Sequence, residues 1–268
     1  MQTAVILTTY NRPLALDRVL ASLAEMEIQA AEIVVADDGS GEATAHVVNH
    51  WKTQLPLKHV WQPDDGFRAA EIRNKAVLAS SADYLVFLDG DCMVPRDFVV
   101  QHQRLAEVGF MVAGNRVLLS KTLTREVEDR RLSPEVWSMR HWVEYRWQGH
   151  VNRLLPLLRW PDGSWRKQRP MRWEGVHTCN LGLWRKDFEA VNGFDREFQG
   201  WGHEDADLAI RLMRYGIRRK DGICAIPVYH LWHRENDRSQ EVDNKARLMD
   251  VLAGEYPIHC QKGLARDE

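Results

Sequence analysis

The chain has 268 residues, 44% hydrophobic and 28% charged, which suits a large α/β unit and excludes a disordered chain, a collagen or a coiled-coil rod. Lys plus Arg number 36 against 38 for Asp plus Glu, a net charge of −2, which argues against a dedicated nucleic-acid binder. Four cysteines (Cys92, Cys179, Cys224, Cys260) lie far apart with no CxxC pair, so they form neither a disulfide framework nor a thiolate zinc site and fit a reducing cytosol. No apolar run approaches the ~20 residues of a membrane span. The opening MQTAVILTTYNRP has no basic n-region or cleavage site, so a cytoplasmic protein is expected.

The first 114 residues alternate strand and helix signals. Ala4–Leu7 is a short apolar run ending in Thr-Thr-Tyr-Asn. Pro13 then opens a helical pattern with Leu16, Val19, Leu20 and Leu23 on one face. Ile33–Ala36 is the next buried strand, stopping at Asp37-Asp38-Gly39-Ser40. Leu57–Trp61 reads as a third strand, and Gly66-Phe67-Arg68 leads into a helix carrying Ile72, Ala76 and Ala79. Tyr84–Leu88 is a fourth strand ending in Asp89-Gly90-Asp91, and Pro95 starts another helix to about Ala106. Such alternation predicts a mostly parallel sheet covered on both faces by helices, with ligands outside the carboxyl ends of its strands. Three of those ends carry polar turns: Thr8–Arg12, Asp37–Ser40 and Asp89–Asp91.

Residues 130–172 differ: ten Arg or Lys face only Glu135, Glu144 and Asp162, with five Trp interleaved. This stretch, within 115–172, is expected to be a Trp/Arg-rich helical insertion. Its plain reading is a solvated basic face over packed Trp. Its sharper reading is a peripheral contact with anionic membrane or a lipid-linked acceptor. Residues 173–250 would form a catalytic and acceptor half, after a nucleotide-binding half at 1–114, and 251–268 a peripheral tail.

Several turns could carry chemistry. Two carboxylates at i and i+2 just past a strand, as in Asp89-Gly90-Asp91, can hold a divalent cation against a diphosphate; the bland alternative is an Asp-Gly turn. Asp37–Ser40 has the same ambiguity, with Ser40 as a helix N-cap in the bland case. Gly200-Trp201-Gly202-His203-Glu204-Asp205 opens a helix, where carboxylates are favoured by the dipole. Yet Trp201 between glycines offers a flat surface for a sugar ring, and a neighbouring carboxylate can accept a hydroxyl proton. His230-x-x-His233 could give imidazole nitrogens to a metal.

These stretches together resemble inverting family 2 glycosyltransferases of the GT-A fold. The second half is similar to a galactosyltransferase C-terminal segment shared by bacterial chondroitin polymerases and animal β-1,4-galactosyltransferases. The resemblance is carried by TTYNRP (8–13), VVADDGS (34–40), DDGFRAAEIRN (64–74), YLVFLDGDCMVP (84–95), NGFDREFQGWGHEDADLAIRL (192–212) and VYHLWH (228–233). It implies that Thr8, Tyr10 and Arg12 line a nucleotide pocket. Asp38 would bond the uracil beside Asp37, Arg73 would approach the nucleotide, and Asp89 would lie near ribose and metal. Asp91 and His233 would ligate Mn²⁺ (or Mg²⁺), with His230 where relatives carry a methionine ligand. Asp205 matches the catalytic base and Glu204 a neighbouring acceptor-binding acid, with Trp201 and Gly202 at the sugar. Relatives often have Gly-Gly before Glu-Asp; here the pair is Gly202-His203.

The implied reaction moves a sugar from a UDP-sugar to a hydroxyl of a saccharide or lipid-linked acceptor, in cell-surface polysaccharide or lipopolysaccharide synthesis, with no nucleic-acid partner. Two other classes compete. A zinc-dependent hydrolase would use His203, Glu204, His230 and His233 but leaves the acidic turns without a role. A catalytically silent sugar- or nucleotide-binding module would keep the Trp residues and need no Asp205.

Overall fold

A computed structural model describes residues 1–234 and 238–264. Strands β1 (Thr3–Thr9), β2 (Glu32–Asp37), β3 (Leu57–Trp61) and β4 (Tyr84–Asp89) alternate with helices α1 (Pro13–Ala24), α2 (Glu42–Trp51) and α3 (Ala69–Leu78). A two-residue strand β5 (Cys92–Met93), helix α4 (Phe98–Leu105) and strands β6 (Phe110–Ala113) and β7 (Asn115–Leu118) follow. Then come α5 (Lys121–Arg130), α6 (Met139–Trp147), β8 (Asn180–Trp184), α7 (Arg185–Ala190), α8 (Glu204–Tyr215), β9 (Arg218–Asp221), β10 (Pro227–His230) and α9 (Glu241–Ala253).

The main sheet runs β3-β2-β1-β4-β8-β6-β9. Its β3, β2, β1 and β4 are mutually parallel, β6 is parallel to β9, and β8 is antiparallel to both neighbours. The fold is therefore the expected mostly parallel sheet flanked by helices. Side chains alternate between two cores, as a strand's two-residue period requires. Val5 and Leu7 of β1 pack with α1, whereas Ala4 and Ile6 pack with α3, α7 and α8. Register aligns the strand ends: Thr9 lies opposite Asp37, and Thr8 opposite Asp89. A second sheet, β5-β10-β7, sets His230 opposite Cys92, next to Asp91.

Several local expectations change. Residues 115–172 begin with β7, a strand of the second sheet, before α5 and α6. Their basic face is partly internal. Arg166 is buried and donates to the carbonyls of Trp160, Asp221 and Ile223, while Arg159 pairs with Asp97, Lys167 with Glu107 and Arg131 with Asp17. Trp142 is buried against Tyr229, and Trp137 stacks on Tyr145 with ring centroids 4.6 Å apart. Trp147, at 91%, and Trp160, at 54%, are exposed instead. The tail is not peripheral up to residue 264: Cys260 is buried, its carbonyl accepts from Asn192 Nδ2, and Leu264 N–H donates to Asn192 O. Asn192 and Cys260 lie too far apart in sequence for local pattern to link them.

Beneath β8, His102 of α4 is fully buried. Its Nε2 lies 3.0 Å from Asn180 Oδ1, and Nδ1 has no partner among the described residues. Asn180 Nδ2 donates to the Ile226 carbonyl, so its amide oxygen is free to accept and His102 Nε2 is the donor. Burial holds the His102 imidazole down at about 4, against a slight upward pull from Asn180. In the unfolded chain it would titrate near about 6.5. The unfolded state then binds the extra proton between these values, so stability is full above the upper value and falls as pH drops to the lower one. The expected slope is about 1.4 kcal/mol per pH unit, on the order of 3 kcal/mol in all. Urea unfolding across that window checks it: His102→Gln should flatten the slope, and an unchanged slope would assign the acid sensitivity elsewhere.

Candidate active site

The polar turns after β1, β2 and β4 meet at one sheet edge. Asp38 N–H donates to Thr9 O at 3.0 Å, and Gly90 N–H to Thr8 O at 2.6 Å. Gly90 permits this approach: a Cβ there would stand 2.9 Å from the Thr8 carbonyl oxygen. Gly39, at φ +95°, turns the chain under Asp64, whose backbone would meet a Cβ at 2.5 Å.

Asp37 is fully buried. Its Oδ1 accepts from Ser40 N–H at 2.8 Å and its Oδ2 from His59 Nε2 at 3.0 Å. Burial pushes this carboxyl up, but His59 and Ser40 outweigh it and hold it below its ordinary value. Asp37 thus shapes the turn. Ser40 does not cap α2, which starts from Gly41 without a side-chain cap; its hydroxyl accepts from Asn11 N–H at 2.8 Å and ties the first turn to the second. Asp38 accepts from Gln62 Nε2 at 2.6 Å and from Arg68 N–H at 2.8 Å, yet burial keeps its carboxyl raised. Tyr10 is exposed nearby and donates to Asp64 at 3.0 Å.

Arg73 is the hub of the cleft. Buried on α3, it donates from Nε to Thr8 Oγ1 (3.0 Å), from Nη1 to Glu204 (3.0 Å) and from Nη2 to Asp89 (3.4 Å). One guanidinium thereby joins the end of β1, the end of β4 and the start of α8. Burial pushes the Asp89 carboxyl up to about 6, helped by Asp91, Glu204 and Asp205 and opposed by Arg73.

The first turn of α8 holds three acids, and the first two are tuned in opposite directions. Burial and the Asp205 charge raise Glu204 despite Arg73. Burial would raise Asp205 too, but its bond with His177 and the nearby Arg73 outweigh it and hold it below its ordinary value. Of the two, Asp205 is thus held more firmly toward its ionised form. His203 enters this helix at φ +75°, the left-handed region that a glycine there would adopt without steric cost. Before it, Trp201 lies between Gly200 and Gly202 with the Arg238 guanidinium 4.6 Å above its ring.

At the other side of Asp89, the antiparallel β10–β5 pairing brings the histidines to Asp91. His230 Nε2 lies 3.6 Å from Oδ1 and His233 Nε2 3.5 Å from Oδ2. Burial lowers His230, more than Asp91 raises it, so its imidazole is favoured in the neutral form that binds metals. Cys92 Sγ is 3.5 Å from Asp91 Oδ1, and ligand atoms of Asp91, Cys92 and His230 fall within 4.8 Å of one another. A carboxylate with two imidazoles suits a divalent transition ion better than oxygen-seeking Mg²⁺. Arg12 also reaches this point: Nη1 donates to Asp91 at 2.8 Å and Nη2 to Glu128 at 3.4 Å. The hydrolase grouping does not assemble as one cluster. Glu204 faces Arg73, and the metal-capable cluster among the described residues is built on Asp91, Cys92 and His230.

His177 and Glu128 escaped the sequence reading. His177 precedes the Thr178-Cys179-Asn180 stretch and lies in no recognisable spacing with Asp205, and Glu128 is one of several acids on α5.

Comparison with known proteins matches residues 4–156 to the model of glycosyl transferase family 2 and residues 164–233 to one described as the N-terminal domain of galactosyltransferase. The first match runs well into the Arg/Trp-rich stretch. Validoxylamine A glucosyltransferase of Streptomyces hygroscopicus subsp. jinggangensis is 34% identical over 80% of this chain and 52% of its own. Hyaluronan synthase of Pasteurella multocida is 28% identical over 97% of this chain and 28% of its own. The chain thus spans about half or less of these relatives. Among solved structures, a mannosyltransferase from Pyrobaculum calidifontis in complex with GDP-Man and Mn²⁺ aligns with 95% of this chain and 64% of its own, at a TM-score of 0.63 and 17% identity. That likeness is one of fold, the GT-A fold.

Proposed function

The chain belongs to glycosyl transferase family 2 and is a glycosyltransferase, and from that premise we propose that it moves a sugar from a UDP-sugar to an acceptor hydroxyl with inversion at the anomeric carbon. The observation that carries this reading is the Arg73 network. It joins a turn suited to a nucleotide, the first acid of a DXD-like turn and the helix that presents Asp205.

In this reading the acceptor oxygen attacks the anomeric carbon as its proton passes to Asp205, and the bond to the diphosphate oxygen breaks on the opposite face. Asp38, fixed by Gln62 and the Arg68 amide, accepts from the base. Arg73 keeps Thr8, Asp89 and Glu204 in place, and Glu204 faces the acceptor. Trp201 and Gly202 border the sugar. Asp91, His233 and His230 would hold Mn²⁺, which when bound neutralises charge on the leaving diphosphate. The acceptor is a saccharide, free or lipid-linked, and the cell role is surface polysaccharide or lipopolysaccharide synthesis on the cytoplasmic side. The exposed α6 residues Met139, Val143 and Trp147, spaced four apart beside Arg140 and Arg146, support a peripheral membrane contact. No helix among the described residues is long and apolar enough to cross a membrane.

Thermal unfolding with UDP, GDP, CDP or dTDP, each with Mn²⁺ or EDTA, tests the donor site. A nucleotide at a hundred times its dissociation constant adds about 2.7 kcal/mol. The expected result is a Mn²⁺-dependent shift with UDP that Asp91→Ala abolishes. A shift with GDP alone would move the donor class, and no shift with any of the four would overturn the reading.

A further inference from the structure

We propose that His177 is the positioning residue of the base: it orients the Asp205 carboxylate through one imidazole nitrogen. This inference rests on the assignment of Asp205 as the base. His177 sits in the turn before β8, where Asn180 N–H donates to its carbonyl at 3.1 Å. Its Nδ1 lies 3.1 Å from Asp205 Oδ2, while Asp205 Oδ1 accepts from Ala206 N–H at 2.8 Å. Each carboxylate oxygen therefore has one fixed partner, and a lone pair of each is left for an acceptor hydroxyl. Ala206 belongs to the same helix turn and moves with Asp205. Among the described residues, His177 alone hydrogen-bonds the carboxylate from a separate element. Without it the side chain could rotate about χ1 and χ2, and a base misplaced by about 1 Å can cost up to a hundredfold in rate.

The charged groups around Asp205 leave His177 the chief local support for ionisation. Glu204 stands beside it on α8 and Asp89 faces it from the end of β4, both acids that disfavour a further negative charge. Arg73 from α3 favours that charge but is already bonded to both of those acids. His177 is nearly half exposed, and its Nε2 makes no hydrogen bond among the described residues. Removing the ring therefore opens no cavity in the core, which separates a positioning role from a structural one.

Three variants test this, read by UDP release from UDP-glucose and UDP-N-acetylglucosamine and by ¹³C NMR titration of the Asp205 carboxyl. His177→Ala should lower kcat about tenfold with KM for the donor unchanged. It should also raise the Asp205 midpoint, so that activity fades at a higher pH as the solution is acidified. His177→Asn places an amide N–H near the same point and should recover most of kcat and return the midpoint toward the wild-type value. Asp205→Asn should lose roughly 10²–10⁴ in turnover. If Asp205→Asn keeps wild-type turnover, the base assignment fails. If Asp205→Asn loses that turnover while His177→Ala leaves kcat and the acid limb where they were, the role of His177 is overturned. The NMR midpoint decides without any donor: an unmoved midpoint in His177→Ala overturns the proposal.

Discussion

Asp205→Asn should lose roughly 10²–10⁴ in turnover, the range that a positioned general base contributes. The substitution is nearly isosteric. The amide can keep a bond to Ala206 N–H through its oxygen, so α8 is expected to keep its first turn. What disappears is the ability to take a proton. Among the described residues Asp205 hydrogen-bonds to His177 and to its own helix backbone and to no group of the Asp38 turn. Nucleotide-dependent stabilisation should therefore survive the loss of turnover. Glu204→Gln makes the contrast. It removes the carboxylate that faces Arg73 and so disturbs the hub that also holds Thr8 and Asp89, so both stabilisation by nucleotide and turnover should fall. Single-turnover rates together with thermal shifts separate the two. A variant at Asp205 with wild-type turnover would remove it from the chemistry.

Asp207→Ala should cost about 3–5 kcal/mol of stability, the range for breaking a buried ion pair from one side. Arg211 and Asp207 are both fully buried on α8, one turn apart. The guanidinium also donates to the carbonyls of Val191 at 2.7 Å and Gly193 at 2.8 Å, which ties the helix to the turn that precedes it. Removing the carboxylate strands a charge that cannot be neutralised, because an arginine does not lose its proton in a protein. Removing the arginine should be milder. Burial already pushes the Asp207 carboxyl up against the pull of Arg211, so it can take a proton and become neutral. The expected order is therefore Asp207→Ala below Arg211→Met, with the first lowering Tm by roughly 5–10 °C for a chain of this size. The double variant Asp207→Leu/Arg211→Met should recover part of the loss. Equal losses for the two single variants would contradict the argument. The effect reaches the site because α8 presents Glu204 and Asp205 from its first turn.

The parallel strands and the acid-rich turns were legible because each turn follows an apolar run, and continuous apolar runs of that length belong in a sheet covered on both faces. That the turns would face one another follows from parallel register, which sets Thr9 against Asp37 and Thr8 against Asp89. The basic stretch misled for a physical reason. Composition counts charges but not their partners, and Arg166 satisfies its donors on three backbone carbonyls inside the fold. Ser40 misled in the same way: its type and position suit an N-cap, but the first turn supplies a competing donor in Asn11 N–H.

By itself the sequence determined the alternation of strands and helices in the first 114 residues, the chemistry of the turns and the family. These depend on local periodicity, on turn residues and on motifs read in order along the chain. The resemblance already set His230 and His233 with Asp91; tertiary structure alone decided that Cys92 stands opposite His230, that Arg73 bonds Thr8, Asp89 and Glu204 at once, and that His177 lies on Asp205. Such meetings are set by strand pairing and by the need of buried polar groups for partners, and neither leaves a spacing in the chain.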